Sequence, residues 1–231
     1  MNYNINSDEY YMDYLKNDIV KIDNFLNPNH ANLVHEQLKR TNSSFWDYLS
    51  NSSKMGPQLI QNTNDESAQN IIKIRKKTAF QEFCNSQSFS YSFYRMINSH
   101  TKKCNCDLCQ LENNLINNSD FEYFIREVTG INNLKLIRYF YTEFKSGDFL
   151  YPHTNAPNST VCATIFFTKN WKPWHGGKMN IIEKNNEIRI IKPKFNSLVI
   201  KSTSKNSNPH FVDYIPQYVK SRRFAMVFWF M

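Results

Sequence analysis

The sequence predicts an α+β fold: a closed or two-sheet β core supported by N-terminal helices. Three observations carry this expectation. Helix-period segments are confined to the first part of the chain. From residue 134 onward the period shortens to runs rich in β-branched and aromatic residues, and turn sequences separate those runs. The organisation expected is one domain over residues 1–231, with helical support and an insertion over 1–133 and the β core over 134–231.

Residues 8–20 either begin a helix or lead directly into a strand. Ile19-Val-Lys-Ile-Asp-Asn-Phe-Leu26 reads as a short strand that Asn27-Pro-Asn breaks. Asn29 is then expected to cap a helix through about Arg40, with Ala31, Val34 and Leu38 on one face. Residues 41–72 are polar and read as a long loop with little regular structure. Between 77 and 99, the spacing of Phe80, Phe83, Phe89, Phe93 and Met96 suggests one or two helices. A further helix is expected over 119–128, with Asp120 and Glu122 near its positive end. Strands follow at 134–144, 160–167, 179–182, 187–192, 197–200 and 224–230. Their separators are Lys145-Ser-Gly-Asp148, His175-Gly-Gly177, Lys184-Asn-Asn186 and Lys192-Pro-Lys194.

With 231 residues and 15% aromatic content, the chain can bury a sizeable core, about 70% of its unfolded surface. The formal charge is +8, but its densest clusters, Lys73-Ile-Arg-Lys-Lys77 and Lys220-Ser-Arg-Arg223, are short and carry no nucleic-acid motif. The charge therefore reads as a solvated surface, with no nucleic-acid partner expected. No apolar run approaches a membrane span, so no membrane partner is expected. The first residues lack the basic start and apolar stretch of a secretory signal. The five cysteines, an odd number, fit a reducing compartment, and a cytoplasmic location is the expectation.

The residues that bear chemistry lie in the last third. His153 stands in Phe149-Leu-Tyr-Pro-His-Thr-Asn155, His210 in Asn208-Pro-His-Phe-Val212, and Arg223 opens Arg-Phe-Ala-Met-Val-Phe-Trp-Phe230. Non-haem Fe(II) oxygenases hold their metal with two imidazoles and one carboxylate on one face. Side chains two apart in an extended segment share a face, so His153 and Asn155 could reach one metal while His210 arrives from a distant strand. Arg223 could pair in bidentate fashion with a carboxylate. Adjacent strand residues face opposite ways, so only one of Arg222 and Arg223 points inward; the place before Phe224-Ala selects Arg223. His175 reads as a loop residue, and Trp171 and Trp174 as packing residues at a sheet edge.

Lys145-Ser-Gly-Asp-Phe-Leu-Tyr-Pro-His153, Asn170-Trp-Lys-Pro-Trp-His-Gly-Gly-Lys-Met179, Pro209-His-Phe-Val212 and Arg223-Phe-Ala with Trp229-Phe230 follow one another in a particular order. In these pieces the chain resembles the Fe(II)/2-oxoglutarate-dependent oxygenases, in particular their prolyl-hydroxylase-like branch. The resemblance covers roughly 134–231, with a fainter likeness in Ile22-Asp-Asn-Phe-Leu26 and the helix after it. It implies a double-stranded β-helix (a jelly-roll, cupin-like core), with His153 and His210 as iron ligands and Arg223 on the distal carboxylate of 2-oxoglutarate. It also implies Fe(II), 2-oxoglutarate and O2 as cofactors, with ascorbate as reductant. The reaction implied is hydroxylation of an amino-acid side chain, free or in a peptide or protein, while 2-oxoglutarate is decarboxylated to succinate.

The sequence departs from the family pattern twice. Asn155 stands where the family has an Asp ligand, and Phe144 where many members have a tyrosine. Asn155 is open to four readings: a working amide ligand, a freed site for an anion as in halogenase-like relatives, a mark of lost catalysis in a metabolite-binding jelly roll, or an engineered Asp→Asn change. Its near-isostery with Asp leaves little room for chloride. Repair of nucleic acid by the same chemistry would need a basic groove that the sequence does not display. A second cluster, His100-Thr-Lys-Lys-Cys104-Asn-Cys106-Asp-Leu-Cys109, offers one imidazole and three thiolates, enough for a tetrahedral zinc site, and Cys84 could replace one member. The alternative is a set of reduced thiols in a helix-to-loop connection.

Overall fold

Asn27 and Pro28 set the first boundary of the chain. The Asn27 side chain accepts from the backbone N–H groups of Asn29 and His30, and Pro28, which has no N–H to satisfy, occupies the first helical turn. The expected cap at Asn29 is thus corrected to Asn27. The structure, a computed structural model, describes residues 6–85, 88–97, 106–116, 119–155, 158–203 and 207–231. In order these form α1 (Asp8–Asn17), β1 (Ile19–Asp23), α2 (Pro28–Arg40), β2 (Asp47–Asn51), β3 (Gln58–Ile60), α3 (Glu66–Asn85), β4 (Tyr91–Met96), α4 (Asp107–Ile116) and α5 (Ser119–Thr129). The remainder is β5 (Leu136–Phe144), β6 (Phe149–His153), β7 (Val161–Phe166), β8 (Met179–Ile182), β9 (Ile188–Ile191), β10 (Ser197–Ser202), β11 (His210–Val212) and β12 (Arg223–Phe230).

The expected loop over 41–72 contains a single 3-10 turn, the β2–β3 hairpin and the first turns of α3. Its polar residues hid a two-stranded extension with one solvated face. The second helix expected before residue 99 is the strand β4. Phe89 and Phe93 are four apart, a spacing that suits both periods, but the alternating burial of Ser92, Tyr94 and Met96 is that of a strand.

All strand pairings are antiparallel and run β1-β10-β7-β12-β5-β4-β6-β11-β8-β9, with β2 on β4 and β3 on β2. Two layers face each other, β1-β10-β7-β12-β5 and β6-β11-β8-β9, and β4 joins them by pairing with both β5 and β6. This is a double-stranded β-helix core with helices on one side. Ile19, Phe166, Met179, Ile181, Val199 and Ala225 meet between the layers. The opposite face of the first layer is buried by the helices, where Phe121 of α5 meets Phe228 and Phe230 at ring separations of 4.9 and 5.9 Å. Sandwiched between helices and cavity, β7 is buried on both faces, which explains its continuous apolar run.

One polar knot sits inside this frame. Asp148, fully buried in the β5–β6 turn, accepts from Lys76 Nζ of α3 at 2.7 Å, from Ser92 Oγ of β4 at 2.6 Å and from the Lys145 N–H at 2.8 Å. Burial pushes its carboxyl above the usual range, against the pull of the Lys76 ammonium. Removing the cation leaves a buried carboxylate held only by the Ser92 hydroxyl and the Lys145 N–H. Lys76→Met is therefore expected to lower stability by roughly 3 kcal/mol, read by urea denaturation; a loss below about 1 kcal/mol would show that the pair contributes no more than a surface salt bridge.

Candidate active site

Two strand ends bring the histidines together. β6 ends at His153 and β11 begins at His210, and the two are direct partners in the antiparallel register. Their ring centroids lie 4.3 Å apart at an interplanar angle of 43°. The Nδ1 of His153 is 2.9 Å from the Tyr151 carbonyl oxygen, which assigns the proton to that nitrogen and leaves Nε2 as a lone-pair donor. His210 is buried, and its Nδ1 has no hydrogen-bonding partner among the described residues. Burial lowers the pKa of both rings; for His210, the neighbouring His153 and Lys201 push it further down. Both are neutral at pH 7, the form in which imidazole binds a metal.

Asn155, two residues beyond His153, is buried and hydrogen-bonded to the His153 ring. Among the described residues, no group of three or more His, Cys, Asp and Glu side chains is placed to hold a metal ion. The side chain that stands beside the histidine pair at this position is an amide, not a carboxylate.

Arg223 opens β12 opposite Phe144 and is 2% exposed. Its guanidinium lies over the rings of Phe144 and Phe166 at 4.9 and 5.1 Å, and its Nε has no hydrogen-bonding partner among the described residues. Burial brings its pKa down to about 10, with Asp213 opposing the shift, so it stays charged at pH 7. Arg222 faces the other way, onto the buried carboxylate of Glu143 and the Lys39 carbonyl. The strand alternation thus separates the two arginines. Phe144 stacks on Phe93 at 5.3 Å and offers no hydroxyl.

His153, Asn155, His210 and Arg223 all line one cavity of about 460 Å³, with the hydroxyls of Thr142 and Thr164 on its polar side and aromatic rings on much of the rest. His175 lies outside that lining, its Nδ1 3.4 Å from the Lys172 N–H and its ring against Trp171. Trp171 donates to the Gly176 carbonyl, and Trp174 is exposed. Of the second cluster, His100 and Cys104 lie outside the described residues. Cys106 and Cys109 have their sulfurs 3.6 Å apart, and Cys84 is exposed on α3.

Several lining residues carry no motif. Thr142 and Thr164 could be found only by strand parity, once the register with Arg223 is known, and Asn158 comes from the loop before β7. Lys201 is also buried; it donates to the Ser202 carbonyl at 2.7 Å, and burial pushes its pKa down to about 8.

Residues 139–231 match the family described as the 2OG-Fe(II) oxygenase superfamily. The matched stretch spans nearly all of the β core, which is thus similar to a 2OG-Fe(II) oxygenase domain. Among solved structures, a prolyl-4-hydroxylase from Pseudomonas putida is similar over 97% of this chain and 98% of its own, at 12% identity and a TM-score of 0.59. A prolyl hydroxylase from Trichoplax adhaerens, in complex with a hypoxia inducible factor peptide fragment, is similar over 97% of this chain and 88% of its own, at 15% identity and a TM-score of 0.63. A 2OG-Fe(II) oxygenase family oxidoreductase from Burkholderia pseudomallei is similar over 98% and 91%, at 10% identity and a TM-score of 0.63. At these identities the likeness is one of fold. No curated protein matches the sequence. Among the described residues, no helix is long and apolar enough to cross a membrane.

The Gly-Gly turn has a steric part in the site. Gly177 has a φ of +65°, and a Cβ there would lie 3.1 Å from Arg223 Cδ and 3.2 Å from the Ile215 side chain. Gly177→Ala is expected to cost roughly 1–3 kcal/mol through this crowding and the left-handed backbone. Thermal denaturation would detect it, and an unchanged melting temperature would contradict it.

Proposed function

We propose that this chain is an Fe(II)/2-oxoglutarate-dependent dioxygenase that hydroxylates an amino-acid side chain, with a peptide or protein as the favoured carrier. The observation that carries this reading is the convergence of two neutral imidazoles and one buried, charged arginine on a single cavity. The donor set fits the group the family uses. Both imidazoles face the cavity, and the buried Nδ1 of His210 and Nε of Arg223 lack partners among the described residues. Iron with 2-oxoglutarate and O2 supplies oxidation of a C–H bond coupled to decarboxylation of the cosubstrate, with ascorbate as reductant.

The protein's own residues do the rest. The Tyr151 carbonyl fixes the tautomer and tilt of His153, as an outer-sphere acceptor does for a metal-bound histidine. Asn155 contributes an amide oxygen, which can coordinate but brings no charge. Arg223, pressed between Phe144 and Phe166 and shielded from water, takes the distal carboxylate of 2-oxoglutarate. A second reading, a jelly roll that binds the metabolite without oxidising anything, draws on Asn155 itself. An oxygen-electrode trace with Fe(II), ascorbate and 2-oxoglutarate separates the two. At the second cluster, Cys106 and Cys109 with His100 and Cys104 make a zinc site the proposal, which elemental analysis of the purified protein checks.

Isothermal titration with 2-oxoglutarate tests the cosubstrate assignment directly. Loss of a buried charge-assisted pair predicts that Arg223→Met weakens binding by about 100-fold; equal affinity in the two proteins would remove Arg223 from the site. Asn155→Asp restores a charged ligand and is expected to tighten Fe(II) binding by on the order of tenfold, with faster succinate formation. If wild type and Asn155→Asp both fail to bind 2-oxoglutarate and form no succinate, the enzyme reading is wrong.

A further inference from the structure

Two arginines on the cavity side of the sheet have no task in the chemistry above. Strand alternation turns Tyr91, Phe93 and Arg95 of β4 toward the cavity and Ser92, Tyr94 and Met96 toward the helices. The same alternation in β5 turns Arg138 to the side of Phe140, Thr142 and Phe144. The Arg138 guanidinium lies over the rings of Phe140 and Trp229 at 5.8 and 5.5 Å, and both rings line the cavity. Arg95 stands opposite Thr142 in the register, partly buried, and its Nε is enclosed without a hydrogen-bonding partner among the described residues.

These two cations feel each other. Apart from burial, the largest influence on Arg95 is the positive charge of Arg138, which disfavours its own charged form. The carboxylate that offsets this is Asp47, the partner of Arg95 in β2, and Arg95 in turn holds down a carboxyl that burial pushes up. Two guanidiniums against one carboxylate, beside the aromatic rim of the cavity, leave a positive charge for a ligand to neutralise. An aromatic shelf leads along the same strand. Phe89 is exposed with its ring 5.9 Å from His153, and the contacts continue through Tyr91 to Phe93 at 5.5 and 5.7 Å.

We propose that Arg95 and Arg138 form an anion-reading subsite that selects peptides carrying an acidic side chain near the residue to be oxidised. An extended peptide lying along the Phe89–Tyr91–Phe93 shelf would present a target side chain to the histidine pair and an acidic neighbour to the guanidiniums. Asp47, in the same row, repels a second phosphate or a polyanion track, which favours a single carboxylate over a nucleic-acid strand. The term "oxidised" rests on the oxygenase reading; the acidic preference is a binding property and is tested separately from it.

The test uses the full chain with Mn(II) and 2-oxoglutarate, and fluorescence anisotropy with three labelled probes: a peptide with Glu at alternate positions, the same peptide with Gln, and single-stranded oligothymidylate. The Glu peptide is expected to bind about tenfold more tightly than the Gln peptide, with the preference shrinking as salt rises. Arg95→Gln with Arg138→Gln should abolish that preference while titration with 2-oxoglutarate is unchanged. Arg138→Gln alone, at an exposed position, should reduce the preference even if the double variant fails to fold. Equal binding of the two peptides, a preference that survives in the folded variants, tightest binding of the oligonucleotide, or no binding of any probe would each overturn the subsite. Failure of wild type to bind 2-oxoglutarate would instead strike the oxygenase reading, since the anisotropy comparison can be repeated without cosubstrate.

Discussion

A single buried carboxylate, Asp148, fixes the relative positions of the segments from which the site is built. α3 reaches it through Lys76, β4 through Ser92, and the β5–β6 turn through the Lys145 N–H; its own carbonyl accepts from the Ile215 N–H. Phe149, the next residue, begins β6, and His153 ends it. At about 3.3 Å per residue, little slack separates the anchor from the first imidazole. Ile215 lies between His210 and Arg223 in sequence and packs against Gly177, which in turn packs against Arg223. Asp148 therefore ties α3, β4 and the start of β6 together through its carboxylate, and the segment between His210 and Arg223 through its backbone carbonyl. An apolar residue at 148 would remove the directional bonds through which that constraint acts.

The charge balance of the cavity makes sense in the same physical terms. Arg223 is buried yet charged, and Lys201 lies within electrostatic reach of both imidazoles. Both imidazoles are uncharged at neutral pH, and Asn155 is neutral. Without ligands, then, the cavity holds fixed positive charge in a place where charge is costly. Under the proposed function, a dicarboxylate would offset that cost by placing one carboxylate on Arg223 and the other near the two imidazoles. Under the same proposal, Asn155 in place of an acid would leave 2-oxoglutarate as the main source of negative charge at the metal, so metal and cosubstrate should reinforce each other's binding more strongly than at a site with its own carboxylate.

Much of this was legible in the sequence, for identifiable reasons. Six of the strands after residue 134 are short, flanked by turn residues and apolar in a pattern set by a two-faced sheet, and they appear where expected. β6 and β11, which carry the histidines, are short and stand outside that expectation. The separation of Arg222 from Arg223 followed from alternation alone. Other parts were not legible. β2 and β3 are polar because one of their faces is solvated, and β4 imitates a helix because Phe89 and Phe93 satisfy both periods. The pairing of His153 with His210 is a register fact, set by which strand ends meet across the layers, and no local pattern encodes it. Thr142, Thr164 and Lys201 are ordinary residues until the register shows which way they face.

The division between chemistry and recognition follows from the topology. His153, Asn155, His210 and Arg223 all lie within residues 139–231, the part of the chain that matches the oxygenase family. Tyr91, Phe93 and Arg95 lie on β4, outside that match, in the strand that bridges the two layers. Closing the layers requires only backbone pairing from β4, so its inward side chains can vary without disturbing the hydrogen-bond ladder. The core strands have no such freedom, because their inward residues must pack against the opposite layer and hold the two imidazoles in register. Under the proposed function, selection of a substrate would therefore fall to β4 and its neighbour β2, where a change of side chain alters the wall of the cavity and leaves the histidine pair in place.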